Sequence, residues 1–100
     1  MDIHVTTRHC TLTEEENDAA IAAAKQFEKF VEGIIRVDVI CDENATKHVE
    51  YTVKVPGQKL VAKESGQHFS KIIHDAALKM QRQLSRLHEQ KIPVRSPERG

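Results

Sequence analysis

From Ser65 to Lys91 the chain reads S-G-Q-H-F-S-K-I-I-H-D-A-A-L-K-M-Q-R-Q-L-S-R-L-H-E-Q-K, with no Pro and no Gly after Gly66. Its apolar residues, Phe69, Ile72, Ile73, Ala76, Ala77, Met80, Leu84 and Leu87, recur at helical intervals. At about 100° per residue they share one broad face. Lys71, Lys79, Arg82 and Arg86 fall on the other side, three, four, seven or eight residues apart. The pattern predicts one long helix with a buried stripe, which other elements must cover, and a basic ridge. A basic helix face is ordinarily just solvated, and Asp75 and Glu89 lie among these cations as available partners. Charge along the whole chain argues for more than that.

Lys+Arg and Asp+Glu number 15 each, so net charge alone points to no nucleic-acid partner. The halves differ. Met1 to Glu43 carries ten acidic residues against Arg8, Lys25, Lys29 and Arg36, whereas Asn44 to Gly100 carries five acidic against eleven basic. The protein therefore has a dipole, and the ridge lies at its positive pole. One hundred residues predict one domain with one core. Cys10 and Cys41 are far apart in sequence and match no metal or redox spacing. With no signal-peptide pattern and no apolar run long enough to cross a bilayer, they read as reduced side chains of a cytoplasmic protein. The aromatic set is small, Phe27, Phe30, Tyr51 and Phe69, which argues against recognition of single-stranded bases by exposed stacking platforms.

Upstream of the long helix the chain alternates between strand and helix signals. D-I-H-V-T-T-R, Asp2 to Arg8, predicts a strand with Ile3, Val5 and Thr7 inward. Thr13 and Glu16 form a capping box, with Glu14 and Glu15 suited to the positive end of a helix. That helix is expected to run to about Glu32, burying Ala20, Ala23, Ala24, Phe27, Phe30 and Val31, and to stop at Gly33. Ile34 to Asp42 alternates with Ile35, Val37, Val39 and Cys41 inward, Asp42 to Thr46 reads as a polar turn, and His48 to Val55 alternates again. Pro56-Gly57 signals a tight hairpin turn into a strand from Gln58 to Glu64, and Ser65-Gly66 a break before the helix. The expected fold is α+β: a two-layer sandwich, β-α-β-β-β-α, with a four-stranded mixed sheet and two helices packed on one face. Residues 1–91 form the domain, and the two-proline stretch 92–100 reads as a mobile tail.

Catalytic patterns are missing. The glycines are scattered, no G-x-S-x-G occurs, and His9 beside Cys10 points to the opposite side of a strand end. The acidic cluster Glu14, Glu15, Glu16 is explained by capping, and no two of the six histidines have the i,i+4 spacing of helical zinc ligands. No catalytic residue, metal site, cofactor or small-molecule substrate is expected. What remains is binding. Ridge residues seven or eight apart stand about 11 Å apart along the axis, a spacing suited to the phosphates of structured RNA. Such binding is shape-driven and salt-sensitive.

The chain resembles the short form of the bacterial ribosome hibernation-promoting factor family, whose members are also described as ribosome-associated inhibitors or sigma-54 modulation proteins. The resemblance covers Met1 to about Lys91. It rests on I-H-V-T-T-R-H-C-T-L-T-E, F-E-K-F, H-V-E-Y-T-V-K-V-P-G and E-S-G-Q-H-F leading into L-K-M-Q-R-Q-L-S-R-L-H. It implies a non-enzymatic, monomeric factor that binds the small ribosomal subunit in the mRNA/tRNA channel, blocks translation and preserves idle ribosomes under stress or in stationary phase. By the same resemblance Lys79, Arg82 and Arg86 match the family's rRNA-contacting cations, as do Lys91, Arg8 and Lys29; Lys71 extends the ridge. The sequence departs from the family in His68-Phe69-Ser70 at the helix start, where a Tyr is usual, and in Asp42-Glu43-Asn44 after the second strand, often basic. The chain stops at Gly100 without the C-terminal domain of long-form relatives, so pairing of ribosomes is expected to need a second ribosome modulation factor. The alternative is a protein-interaction module acting as a transcription (sigma factor) modulator. No membrane partner is expected.

Overall fold

A computed structural model describes the backbone of residues 1–91 and the side chains through His88. The expected tail, 92–100, and the Lys91 side chain lie outside the described residues. The elements are β1 (Asp2–Arg8), α1 (Glu14–Gln26), a 3₁₀ turn (Phe27–Lys29), β2 (Arg36–Asn44), β3 (Thr46–Val55), β4 (Gln58–Gly66) and α2 (Phe69–Lys91). The β-α-β-β-β-α order is the expected one, and the sheet runs β1-β2-β3-β4. β1 pairs β2 in parallel across the α1 crossover, while the other pairs are antiparallel.

Strand alternation sets the two layers. Val37, Val39 and Cys41 of β2, Val49, Tyr51, Val53 and Val55 of β3 and Ala62 of β4 are buried in one core with Ala20, Ala24 and Phe27. All eight apolar residues of the α2 stripe are buried there too. Because the strands alternate, the other sheet face stays open and polar. Tyr51 anchors the layers: its hydroxyl donates to the Ala20 carbonyl at 2.9 Å, and its ring meets Phe27 edge-on at 5.3 Å. The small side chains at Ala20 and Ala24 allow α1 that close an approach.

α1 starts as expected. Glu16 N–H donates to Thr13 Oγ1 at 3.1 Å, and Thr13 N–H donates to Glu16 Oε1 at 2.9 Å. It ends earlier than its pattern suggests, at Gln26 rather than near Glu32. The chain tightens into the 3₁₀ turn once Phe27 enters the core, and Phe30 N–H closes onto the Phe27 carbonyl at 3.0 Å. Val31 and Ile34 drop back onto the core, whereas Ala23 and Phe30 are only half-buried. Gly33 thus belongs to the loop into β2 and does not cap α1. Ile35, expected inward, is 48% exposed, because the alternation slips between Ile34 and Val37. Its backbone serves the sheet instead, with its N–H donating to the Lys54 carbonyl at 2.8 Å. Thr7 is exposed at the half-covered edge strand β1.

The turns differ in similar detail. Pro56-Gly57 makes the expected two-residue reversal, with Val55 opposite Gln58 and Gly57 at φ 87°, a conformation that glycine adopts without strain. The polar turn expected over Asp42 to Thr46 is mostly strand, because Asn44 pairs with Thr46 and Ala45 alone reverses the chain at φ 69°. Nor does Ser65-Gly66 break the chain, since β4 continues through Gly66. The glycine answers a packing demand: a Cβ there would stand 2.7 Å from Ile72 Cγ2. Its absence lets the first turn of α2 close onto the end of β4.

Candidate nucleic-acid interface

β4 is bonded only to β3, so its outer edge is unpaired. Two α2 side chains reach that edge. Gln83 Nε2 donates to the Val61 carbonyl at 2.8 Å, and Lys79 Nζ donates to the Lys63 carbonyl at 2.9 Å. Free strand carbonyls invite pairing with another chain, and these two contacts occupy a pair of them. Lys79 also lies 3.1 Å from Glu64 Oε2. The ridge cation nearest the sheet is therefore already engaged, and it meets an anion only by exchanging partners.

Arg82 and Arg86 differ. Both are exposed, and among the described residues neither guanidinium makes an ion pair or a hydrogen bond. With Lys79 and Gln83 they border a groove of about 350 Å³ whose other wall is Val61, Ala62 and Lys63 of β4. The basic ridge is thus a shoulder of α2 leaning over the β4 edge, and Lys63 belongs to it. A second groove, about 450 Å³, is lined by Arg8, Lys63 and Lys79 together with Asp42, Glu50 and Glu64. Strand register explains the meeting of Arg8 with the band, because Arg8, Asp42, His48 and Ser65 form one row across the open sheet face. Asp42 is engaged there, 3.1 Å from His9 Nδ1, and the His9 backbone is left-handed at φ 58°.

The structure therefore brings Lys79, Arg82, Arg86 and Arg8 into one band through Lys63. Lys71 stands apart, paired with Asp75 at 3.2 Å in an i,i+4 bridge. Lys29 is exposed on the 3₁₀ turn and lines neither groove. Lys91 is the last residue of α2. Lys63 and Gln83 escaped the sequence reading. The parity of Lys59, Val61 and Lys63 in β4 marks them as facing away from the core, yet nothing in that parity says that α2 crosses this strand. Phe30, expected in the core, instead lies half-buried beside Arg82 and Arg86.

The cysteines meet although they are distant in sequence. Cys10 Sγ lies 3.3 Å from the Cys41 carbonyl, as a donor, and both thiols are free. Burial above all, with the Cys10 thiol and Glu16 adding, pushes the Cys41 thiol up to about 12. Burial likewise raises the Tyr51 phenol, with Cys41 adding. Among the described residues no group of three or more His, Cys, Asp or Glu is placed to hold a metal ion. No helix among them is long and apolar enough to cross a membrane.

Fold and site together define a two-layer α+β domain with a cation-rich shoulder along one sheet edge. Residues 3–92 match the family described as "Sigma 54 modulation protein / S30EA ribosomal protein", and the chain belongs to that family. The N-terminal domain of Protein Y from Thermus thermophilus, a crystal structure, has the same fold, with a TM-score of 0.77 at 18% identity over 87% of this chain and 99% of that one. A ribosomal subunit interface protein from Coxiella burnetii superposes with a TM-score of 0.76 at 20% identity, covering 89% of this chain and 99% of its own. No curated protein matches the chain in sequence.

Proposed function

We propose that this protein is a ribosome hibernation factor. Residues 1–91 act as a ribosome-binding domain that occupies the mRNA/tRNA channel of the small subunit, blocks translation and preserves idle ribosomes under stress or in stationary phase. The observation that carries the reading is the coincidence of family membership over residues 3–92 with a basic shoulder on which Arg82 and Arg86 are exposed and, among the described residues, unpaired. The protein acts by binding and not by catalysis, in the cytoplasm, as a monomer.

Cations that replace counterions on RNA phosphates give an affinity that falls with salt, by a slope of about 0.7 to 0.9 per phosphate contact. Lys79, Arg82, Arg86, Arg8 and Lys63 would supply the contacts, with Lys79 released from Glu64 on binding; Lys71 and Lys29 play lesser parts. The sigma-factor alternative is not favoured, because the band offers cations suited to a phosphate surface and the Coxiella relative is described as a ribosomal subunit interface protein. Co-sedimentation with vacant ribosomes and separated subunits at two salt concentrations tests the reading. Saturable, salt-sensitive binding to the small subunit is expected, and it is expected to be lost in a folded Lys79→Ala/Arg82→Ala/Arg86→Ala variant. Equal binding by that variant refutes the role of the shoulder.

A further inference from the structure

On the outer side of α2, Phe30 and Leu78 form the apolar floor of an open groove of about 530 Å³, bordered by Gln81, Arg82, Ser85 and Arg86. We propose that this groove receives one unstacked base of ribosomal RNA, with Arg82 and Arg86 binding the phosphates on either side of it; the small aromatic set argues against a row of stacking platforms, and half-buried Phe30 supplies a single one.

Three observations carry this. The floor is apolar and aromatic while its rim is cationic, the combination with which proteins hold single-stranded nucleotides: a flat ring against an aromatic side chain, and the backbone against guanidiniums. Of the four ridge cations of α2, the two at this rim make no ion pair or hydrogen bond among the described residues, whereas Lys71 and Lys79 are held by Asp75 and Glu64. Arg82 and Arg86 are four residues apart, about 6 Å along the axis, so their forks reach backbone on both sides of a single nucleotide. A protein partner is a poorer fit, because two charges interrupt the apolar surface and would lose hydration under an apolar side chain. Phe30 holds this place because the 3₁₀ turn carries it out of the stripe occupied by Ala20, Ala24, Phe27 and Val31.

The inference rests on the ribosome-binding reading, and salt dependence separates the two. Stacking releases no counterions, so Phe30→Leu, which keeps an apolar side chain but removes the ring, is expected to weaken small-subunit binding on the order of tenfold at every salt concentration. Its slope of log affinity against log salt stays that of the wild type. Arg82→Ala is expected to reduce that slope by about 0.7 to 0.9. Phe30→Tyr, which keeps the ring, binds as the wild type does. Should Phe30→Leu fail to fold, Leu78→Ala carries the test with the same expected signature. Wild-type affinity in Phe30→Leu, with Arg82→Ala still weakened, overturns the base assignment and leaves the ribosome reading intact. No binding by the wild-type protein overturns both. Normal ribosome binding by Phe30→Leu with an altered sedimentation of the free protein assigns the groove to a contact between two copies, and the base assignment is then wrong.

Discussion

Replacing Gly66 by Ala tests how the shoulder is held against the sheet. The new methyl would stand 2.7 Å from Ile72 Cγ2, closer than carbon atoms approach, and Ile72 is 3% exposed in the core. Neither side yields cheaply. Gly66 is the last residue of β4, opposite Lys47, and Ile72 lies in the first turn of α2, four residues beyond the end of the short Gln67-His68 link. Inserting a methyl into a packed site costs about 1–3 kcal/mol, and the upper half of that range is expected here. Ile72→Ala removes the opposing methyl at a cost of about 2–5 kcal/mol for the lost burial and the cavity. In that background Gly66→Ala should lose its penalty and become neutral or stabilising by about 0.5–1 kcal/mol, because alanine orders a strand more readily than glycine. Urea unfolding followed by far-ultraviolet circular dichroism of the two single variants, the double variant and the wild type gives the coupling energy. A coupling of about 2 kcal/mol or more is expected; a Gly66→Ala cost unchanged by Ile72→Ala would show that the close approach is not what requires glycine. The same variant bears on function, since lifting the start of α2 loosens the reach of Lys79 and Gln83 to the β4 edge. Faster hydrogen exchange at that edge should accompany the loss of stability.

The buried thiol and phenol make alkaline stability a second test. Cys41 rises from an ordinary 9.0 to about 12 in the folded chain, so its contribution is full below pH 9 and is lost as pH climbs toward 12. Under reducing conditions unfolding free energy should fall across that window by up to about 1.4 kcal/mol per pH unit for each such group. Cys41→Val should remove the larger part of the fall between pH 9 and 10, where the unfolded Tyr51 phenol, with its ordinary 10.0, titrates later than the unfolded thiol; an unaltered fall there would contradict the assignment. At the β2–β3 reversal, Ala45→Gly should raise stability by roughly 1 kcal/mol, because the residue at φ 69° keeps a Cβ that opposes the left-handed conformation. A lower urea midpoint in that variant would mean that the turn is not strained.

Local periodicity carried most of the architecture. The spacing of three and four from Phe69 to Leu87 can be satisfied only by a helix with one wet side, and alternation from Val49 to Val55 only by a strand with one dry face. Thr13 with Glu16 and Pro56 with Gly57 acted within a few residues of themselves, and all behaved in the structure as their chemistry demands. The misreadings fell where a distant residue outbid a local preference. Phe27 ended α1 early because Tyr51 and the core claimed its ring. Ile35 turned outward because its backbone was needed by Asp2 and Lys54. Gly66 stayed in a strand because Ile72, six residues on, needed its space.

The candidate site divides in the same way. That Lys79, Arg82 and Arg86 share a side of one helix was determined by the sequence alone, since helical spacing places them whatever the rest of the chain does. That this side leans over β4, that Lys63 and Arg8 join it, that Glu64 holds Lys79, and that Phe30 lies beside the guanidiniums of Arg82 and Arg86 were decided only by the tertiary structure. The physical reason is range: a side chain's position on its own helix is set by bonds a few residues long, whereas its neighbours across an edge are set by which layers pack together to bury the stripe.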